Sequence, residues 1–179
     1  MQKTDIFAIL YLRFFIQNNM VERNLITKVD VYRFEELSAD YKKLVDEAKK
    51  QTAFSYAPYS TFQVGAAVLL ENGEVVAANN QENSAYPSGL CAERVAMFYA
   101  NARYPDVAPK AIAIAAYTAD AFLKQAVAPC GACRQVLLET ETRYGKEIEV
   151  LLYGENEVLA IKNIKSLLPL TFNKESLGK

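Results

Sequence analysis

Three cysteines are the only thiols of the chain, and it has no histidine. One stands in Cys91-Ala92-Glu93, the other two in Pro129-Cys130-Gly131-Ala132-Cys133. Three soft ligands suit one tetrahedral zinc, because a site built from three protein groups keeps its fourth position for water or substrate. Zinc lowers the pKa of a bound water towards neutrality, so such a centre offers a nucleophile near pH 7. The reaction then needs a proton carrier. With no histidine available, the best placed group is Glu93, two residues after Cys91 in what reads as the first turn of the same helix. Taken singly, each cysteine would be a small buried hydrophobe, and Glu93 an acid favoured near any helix start by the helix dipole. Taken jointly, the spacing favours ligation. A closed structural zinc would need a carboxylate as its fourth ligand, an uncommon arrangement.

A ligand-x-Glu run followed by Pro-Cys-x-x-Cys is the signature of zinc-dependent nucleobase deaminases. From Ser55-Tyr56-Ala57-Pro58-Tyr59-Ser60 to Leu167-Leu168-Pro169 the chain resembles the small homotetrameric cytidine deaminases. The resemblance rests on Phe62-Gln63-Val64-Gly65-Ala66-Ala67, Asn80-Gln81-Glu82-Asn83, Cys91-Ala92-Glu93-Arg94 and Pro129-Cys130-Gly131-Ala132-Cys133-Arg134-Gln135. It implies hydrolytic deamination of cytidine and deoxycytidine in pyrimidine salvage, one Zn²⁺ per subunit on Cys91, Cys130 and Cys133, and Glu93 as proton shuttle. It also implies that Asn80 and Glu82 hold the sugar hydroxyls, that Phe62 packs on the pyrimidine and that Tyr86 lies close to the nucleoside. Phe172 takes the place of a residue that reaches a neighbouring subunit's site, although Leu170 stands where that motif often has glycine. Without the resemblance, Asn80 and Glu82 would read as turn residues and Phe62 as core.

Two further expectations are physical. The backbone N–H of Ala92, unpaired at a helix start, is free to donate to the base carbonyl. Three thiolates on Zn²⁺ leave a net negative centre, which a neighbouring cation donating to sulfur would offset; Arg94 and Arg134 are the candidates.

Other readings are disfavoured by particular residues. A deaminase of an aminonucleoside such as blasticidin S shares the cysteine motifs but does not call for the ribose-suited run Asn80–Asn83. Deoxycytidylate and polynucleotide deaminases typically place histidine where this chain has Cys91. A zinc-stabilised binding module without catalysis is the rival from outside enzymology.

Composition agrees with a small-molecule enzyme. The 179 residues are 51% hydrophobic, and a chain of that length buries roughly 70% of its surface on folding. A net charge of −1 with no long basic run argues against a polynucleotide partner, which calls for clustered Lys and Arg. Cysteines grouped in zinc spacing with none left over suggest a reducing compartment, hence a cytoplasmic enzyme. The apolar stretch Phe7–Ile16 is too short to span a membrane and is interrupted by Arg13. The resemblance covers nothing before about Phe34, so residues 1–34 read as an extension of uncertain status, with Met1–Asn19 either an amphipathic extra helix or the product of an upstream start, Met20 then being the true one. Residues 35–179 read as a single zinc-dependent domain.

The elements that must position these residues follow from pattern. Asp30–Glu35 alternates weakly, as an edge strand or a lead-in does. Tyr41, Leu44, Val45 and Ala48 share one helical face. Phe62–Leu70 and Glu74–Ala78 flank Asn72-Gly73, a dipeptide suited to a hairpin turn. A helix over Cys91–Ala102, a strand over Ala111–Ala116, a helix from Cys130 to about Tyr144 and a strand over Ile148–Tyr153 complete an α/β fold, a three-layer α/β/α sandwich around a central mixed sheet. Helices starting at Cys91 and at Pro129-Cys130 would point their positive ends at one metal and stabilise its thiolates.

Overall fold

The structure, a computed structural model, describes residues 22–178, so the readings made for Met1–Asn19 and for Met20 lie outside it. Seven strands, β1 (Asp30–Tyr32), β2 (Gln63–Leu70), β3 (Val75–Asn79), β4 (Pro109–Thr118), β5 (Ala121–Phe122), β6 (Glu149–Tyr153) and β7 (Val158–Ile161), form one sheet. Its order is β1-β7-β6-β4-β2-β3, with β5 folded back on β4. Three helices cover it: α1 (Ala39–Thr52), α2 (Ala92–Arg103) and α3 (Gly131–Tyr144).

The sheet is mixed because β4 and β6 run parallel while the other neighbours pair antiparallel. A parallel pair cannot be joined by a tight turn and needs a crossover, which α3 supplies. The expected hairpin forms between β2 and β3, with Gly73 at φ +86° taking the left-handed position of the turn.

Alternation along the strands sorts side chains to two faces. Ala66, Val68, Ile112, Ile114, Val150 and Leu152 pack towards α2 and α3 with Met97 and Leu137. Ala67, Leu69, Ala111, Ala113, Ala115 and Leu151 pack towards α1 with Leu44, Val45 and Ala48. At its centre the α1 face of β4 presents only the alanines Ala111, Ala113 and Ala115, and this lets the helix sit close to the sheet. The tightest point is Gly65, where an added Cβ would stand 1.9 Å from the carbonyl oxygen of Ala48 and 3.0 Å from the amide nitrogen of Thr52. Those two obstacles are backbone, and the third, the Gln51 Cβ at 2.9 Å, is fixed to the backbone, so no flexible side-chain end can swing away. Gly65→Ala is expected to destabilise the fold by about 3 kcal/mol or more, at the upper end of overpacking costs; the denaturation midpoint checks it, and a change under about 1 kcal/mol would mean that α1 moves freely on the sheet.

Local sequence explains the start of α1, whose cap Ser38 accepts a hydrogen bond from the Tyr41 amide at 3.3 Å. The weakly alternating lead-in does pair: β1 lies antiparallel on β7, with Asp30 opposite Ala160 and Tyr32 opposite Val158. The sheet therefore begins before residue 34, ahead of the point where the sequence suggests the domain starts. Strands β5 and β7 were not expected from the sequence.

Two boundaries differ by one residue in a way that matters for the chemistry. Cys91 and Cys130 are the caps of α2 and α3, in extended conformation, not their first helical residues. Pro129 consequently stands before the cap, so it does not occupy the first-turn position that a missing N–H would suit.

Candidate active site and metal centre

The two cap positions bring the sulfurs together. Sγ of Cys91 lies 3.9 Å from Sγ of Cys130, which lies 3.5 Å from Sγ of Cys133, and all three fall within 4.8 Å of one another. A tetrahedron of sulfurs about 2.3 Å from zinc has edges of about 3.8 Å, so the cluster already has close to the required size. The donor set also fits, since zinc favours thiolates and the cluster contains no competing hard ligand.

The electrostatics of the three sulfurs favour a cation among them. Hydrogen bonding from Cys133, helped by Arg94, pulls the Cys91 thiol down to about 5 despite its partial burial. The same contact with Cys91, together with burial, pushes the Cys133 thiol well above its ordinary value. Neighbouring sulfurs this close cannot share several negative charges unaided, and a divalent cation removes the conflict.

Arg94 is the cation beside the sulfurs. Its Nη2 donates towards Cys91 Sγ at 3.7 Å and the Gly89 carbonyl at 3.4 Å, while its buried Nε has no hydrogen-bond partner among the described residues. A sulfur contact is described for Arg94 and not for Arg134, whose described hydrogen bonds go to the carbonyls of Pro129 and Leu167, both at 2.8 Å. The difference lies in helix position. Arg94 is three residues after a cap cysteine and folds back onto it, whereas Arg134, one residue after Cys133, reaches the loop carbonyl of Pro129 and, far along the chain, that of Leu167.

Glu93, on the first turn of α2, is 5% exposed. Burial raises its pKa above the usual carboxylate value, with the Cys91 sulfur adding to the rise and its own backbone N–H opposing it. A carboxyl whose charged form burial disfavours is suited to alternate between taking up and giving back a proton. None of the described backbone hydrogen bonds uses the N–H of Ala92, as expected at the start of a helix.

Beside the sulfurs opens a cavity of about 450 Å³ lined in part by Asn80, Glu82, Tyr86, Cys91 and Arg94. Glu82 is fixed by Ser60 and Tyr59: Oε1 accepts from the Ser60 hydroxyl at 2.5 Å and Oε2 from the Tyr59 amide at 2.8 Å. Those donors, the Ser60 hydroxyl foremost, hold its pKa below the usual value. It presents an ionised carboxylate with lone pairs to spare. Asn80 is more fully occupied. Its Oδ1 accepts from the Val64 amide at 2.8 Å and the Ser55 hydroxyl at 2.5 Å, and its Nδ2 donates to the Phe62 carbonyl at 2.9 Å. One Nδ2 hydrogen remains for a ligand, and the side chain doubles as the brace that places Phe62. Sequence reasoning missed Ser60 and Tyr59 as the groups that orient Glu82; their place in the Tyr-Ser pair of the matching run was the available signal.

Phe62 is half-buried just before β2, outside the lining of this cavity. Tyr86 is exposed at its rim, edge-on to Tyr59 with ring centroids 6.1 Å apart. Phe172 is 61% exposed and is not among the residues lining this cavity, its carbonyl accepting from Gln135 Nε2 at 2.8 Å.

Comparison with known proteins agrees with this geometry. The family model for the cytidine and deoxycytidylate deaminase zinc-binding region matches residues 38–145. The cytidine deaminase of Sporosarcina psychrophila is 40% identical over 139 residues, covering 78% of this chain and 96% of its own length. That of Halalkalibacterium halodurans is 38% identical over 141 residues, covering 78% and 98%. Among solved structures, cytidine deaminase from Burkholderia pseudomallei superposes with a TM-score of 0.62 at 37% identity, over 73% of this chain and 97% of that one. With the three-cysteine cluster, the buried carboxyl and the mixed sheet all in place, the chain belongs to the zinc-dependent cytidine deaminase family.

Proposed function

We propose that the protein hydrolyses cytidine and deoxycytidine to uridine and deoxyuridine, releasing ammonia, as a cytoplasmic homotetramer in pyrimidine salvage. The observation that carries this reading is Cys91, which belongs both to the sulfur cluster and to the wall of the cavity that holds Asn80 and Glu82. A metal on the cluster would face whatever the cavity binds.

Zinc, when bound by Cys91, Cys130 and Cys133, acts as a Lewis acid that makes water nucleophilic near neutral pH. The remaining work falls to side chains. Glu93 takes a proton from the attacking water and delivers it to N3 of the pyrimidine as C4 is attacked. It then carries the second proton to the departing amine, and the carboxyl returns to its starting state. Burial suits it for both roles, because a carboxyl alternating between base and acid works best with a pKa lifted towards the working pH. The Ala92 N–H is available to the base carbonyl. Arg94 offsets the negative charge on sulfur. Tyr86 stands at the rim beside the nucleoside; Phe62, outside the cavity lining but braced by Asn80, is assigned to pack on the pyrimidine, and Phe172 is assigned to the site of a neighbouring subunit. Among the described residues no helix is long and apolar enough to cross a membrane.

Glu82, ionised and anchored, is assigned to the sugar hydroxyls. Glu82→Gln should lower kcat/KM for cytidine by roughly 10- to 100-fold, the worth of a hydrogen bond to a charged group, mainly through KM and with zinc content unchanged. The loss should shrink for 2′,3′-dideoxycytidine, which lacks the hydroxyls; an equal loss on both nucleosides would remove Glu82 from sugar recognition.

The reaction itself is tested by following ultraviolet absorbance of the zinc-replete protein mixed with cytidine and, in parallel, deoxycytidine. Rapid conversion to the uracil nucleosides is expected. No conversion with zinc confirmed bound would overturn the reading in favour of another amine substrate or a non-catalytic module.

A further inference from the structure

The C-terminal segment that follows β7 is held in an unusual way. Leu170 adopts φ +57°, the left-handed region that non-glycine residues avoid because Cβ crowds the carbonyl. Its side chain is 92% exposed, so it buries almost nothing that could offset that conformation. The bend has to be held by its neighbours. Among the described side-chain hydrogen bonds, two reach residues 167–172 from elsewhere in the chain, and they bracket Leu170: Arg134 Nη1 to the Leu167 carbonyl and Gln135 Nε2 to the Phe172 carbonyl, both 2.8 Å.

Both donors stand on the first turns of α3, directly after Cys133. Long side chains on a helix point back towards its N-terminus, and Arg134 does so, its Nε donating to the Pro129 carbonyl at 2.8 Å. One rigid planar fork thus joins the residue before Cys130 to the start of the strained bend.

We propose that Arg134 and Gln135 form a positioning clamp that couples the metal-ligand turn Pro129–Cys133 to the Leu170 bend, so that closure of the sulfurs on zinc sets the path of residues 167–173 and the presentation of Phe172. The clamp rests on the zinc assignment made above. The simpler alternative is that Arg134 satisfies two carbonyls irrespective of the metal. The two differ in one respect: only the clamp makes order in residues 167–173 depend on zinc.

Hydrogen–deuterium exchange of the full chain, with zinc bound and after chelation, reads that dependence. In the unaltered protein zinc should slow exchange across residues 167–173 by at least about tenfold. Arg134→Gln should abolish this zinc dependence and weaken zinc binding roughly 10- to 100-fold in chelator competition, the usual cost of losing a group that orients metal ligands. Gln135→Met, a milder change at a half-buried position, should release only residues 171–173 while zinc affinity stays within about twofold, and it serves should Arg134→Gln not fold. Exchange indifferent to zinc in the unaltered protein, or zinc dependence that survives both substitutions, or protection lost equally from the loaded and metal-free forms of Arg134→Gln, would overturn the clamp. Failure of the unaltered protein to take up zinc, seen by metal analysis, would instead overturn the zinc assignment.

Discussion

Glu93→Gln should bind zinc and cytidine as the unaltered protein does and turn over about 10⁴-fold more slowly, the upper range for a positioned acid–base group. The substitution keeps the shape and most of the hydrogen-bonding capacity of the side chain, and it removes the ability to exchange protons. Glu93 is 5% exposed on the first turn of α2, so a neutral amide replaces a carboxyl whose charged form burial already disfavours. Folding stability should therefore hold or rise slightly, and kcat should fall with KM little changed. That split separates loss of a proton carrier from loss of a binding contact. Steady-state kinetics, metal analysis and thermal unfolding on one preparation check all three points. Retention of more than about a tenth of the turnover would remove Glu93 from the role.

The chemistry was legible in the sequence because it is written in residue type and short spacing. Cys91, Glu93, Cys130 and Cys133 need only two helix starts to converge, and helix starts show in local pattern. The three-layer fold was legible for the same reason, from alternating strands and one-faced helices. What could not be read depends on chain paths that meet from afar. Arg134 looked like a partner for sulfur because it follows Cys133, yet its donors go to carbonyls, one of them on Leu167. Asn80 looked like a ligand group, and the brace it makes to Phe62 and Val64 exists only once β2 and β3 have paired. The four residues of β7 and the three of β1 carry too little pattern to declare a strand, and each is stabilised by the other across the length of the chain. Gly65 could be seen in the sequence, but the reason for it, the carbonyl of Ala48, could not.

Cys130→Ala should yield a folded protein without zinc and without activity, and chelation of the unaltered protein should reproduce that loss reversibly. The three ligands are not equivalent as places to test this. Cys133 is fully buried in the core, so truncating it would open a cavity and confuse lost packing with lost metal. Cys91 lines the cavity and accepts from Arg94, so its removal would also unpair a cation. Cys130 is exposed and its side chain makes no capping hydrogen bond to α3. Its truncation should therefore cost little beyond the ligand itself. With two sulfurs left, affinity should collapse, and turnover should fall by on the order of 10³ or more as water loses the Lewis acid that makes it acidic. Metal analysis, circular dichroism and the absorbance assay distinguish the outcomes. A folded, zinc-free Cys130→Ala protein that still deaminated cytidine would separate the reaction from the metal and place catalysis on Glu93 and the cavity alone, which a buried carboxyl facing an ordinary water is too weak a base to sustain. A protein that kept stoichiometric zinc after losing Cys130 would point to a fourth ligand, and among the described residues the nearest carboxylate by sequence and burial is Glu93 itself; in that event its proton-carrying role would fall with the open coordination position that the role requires.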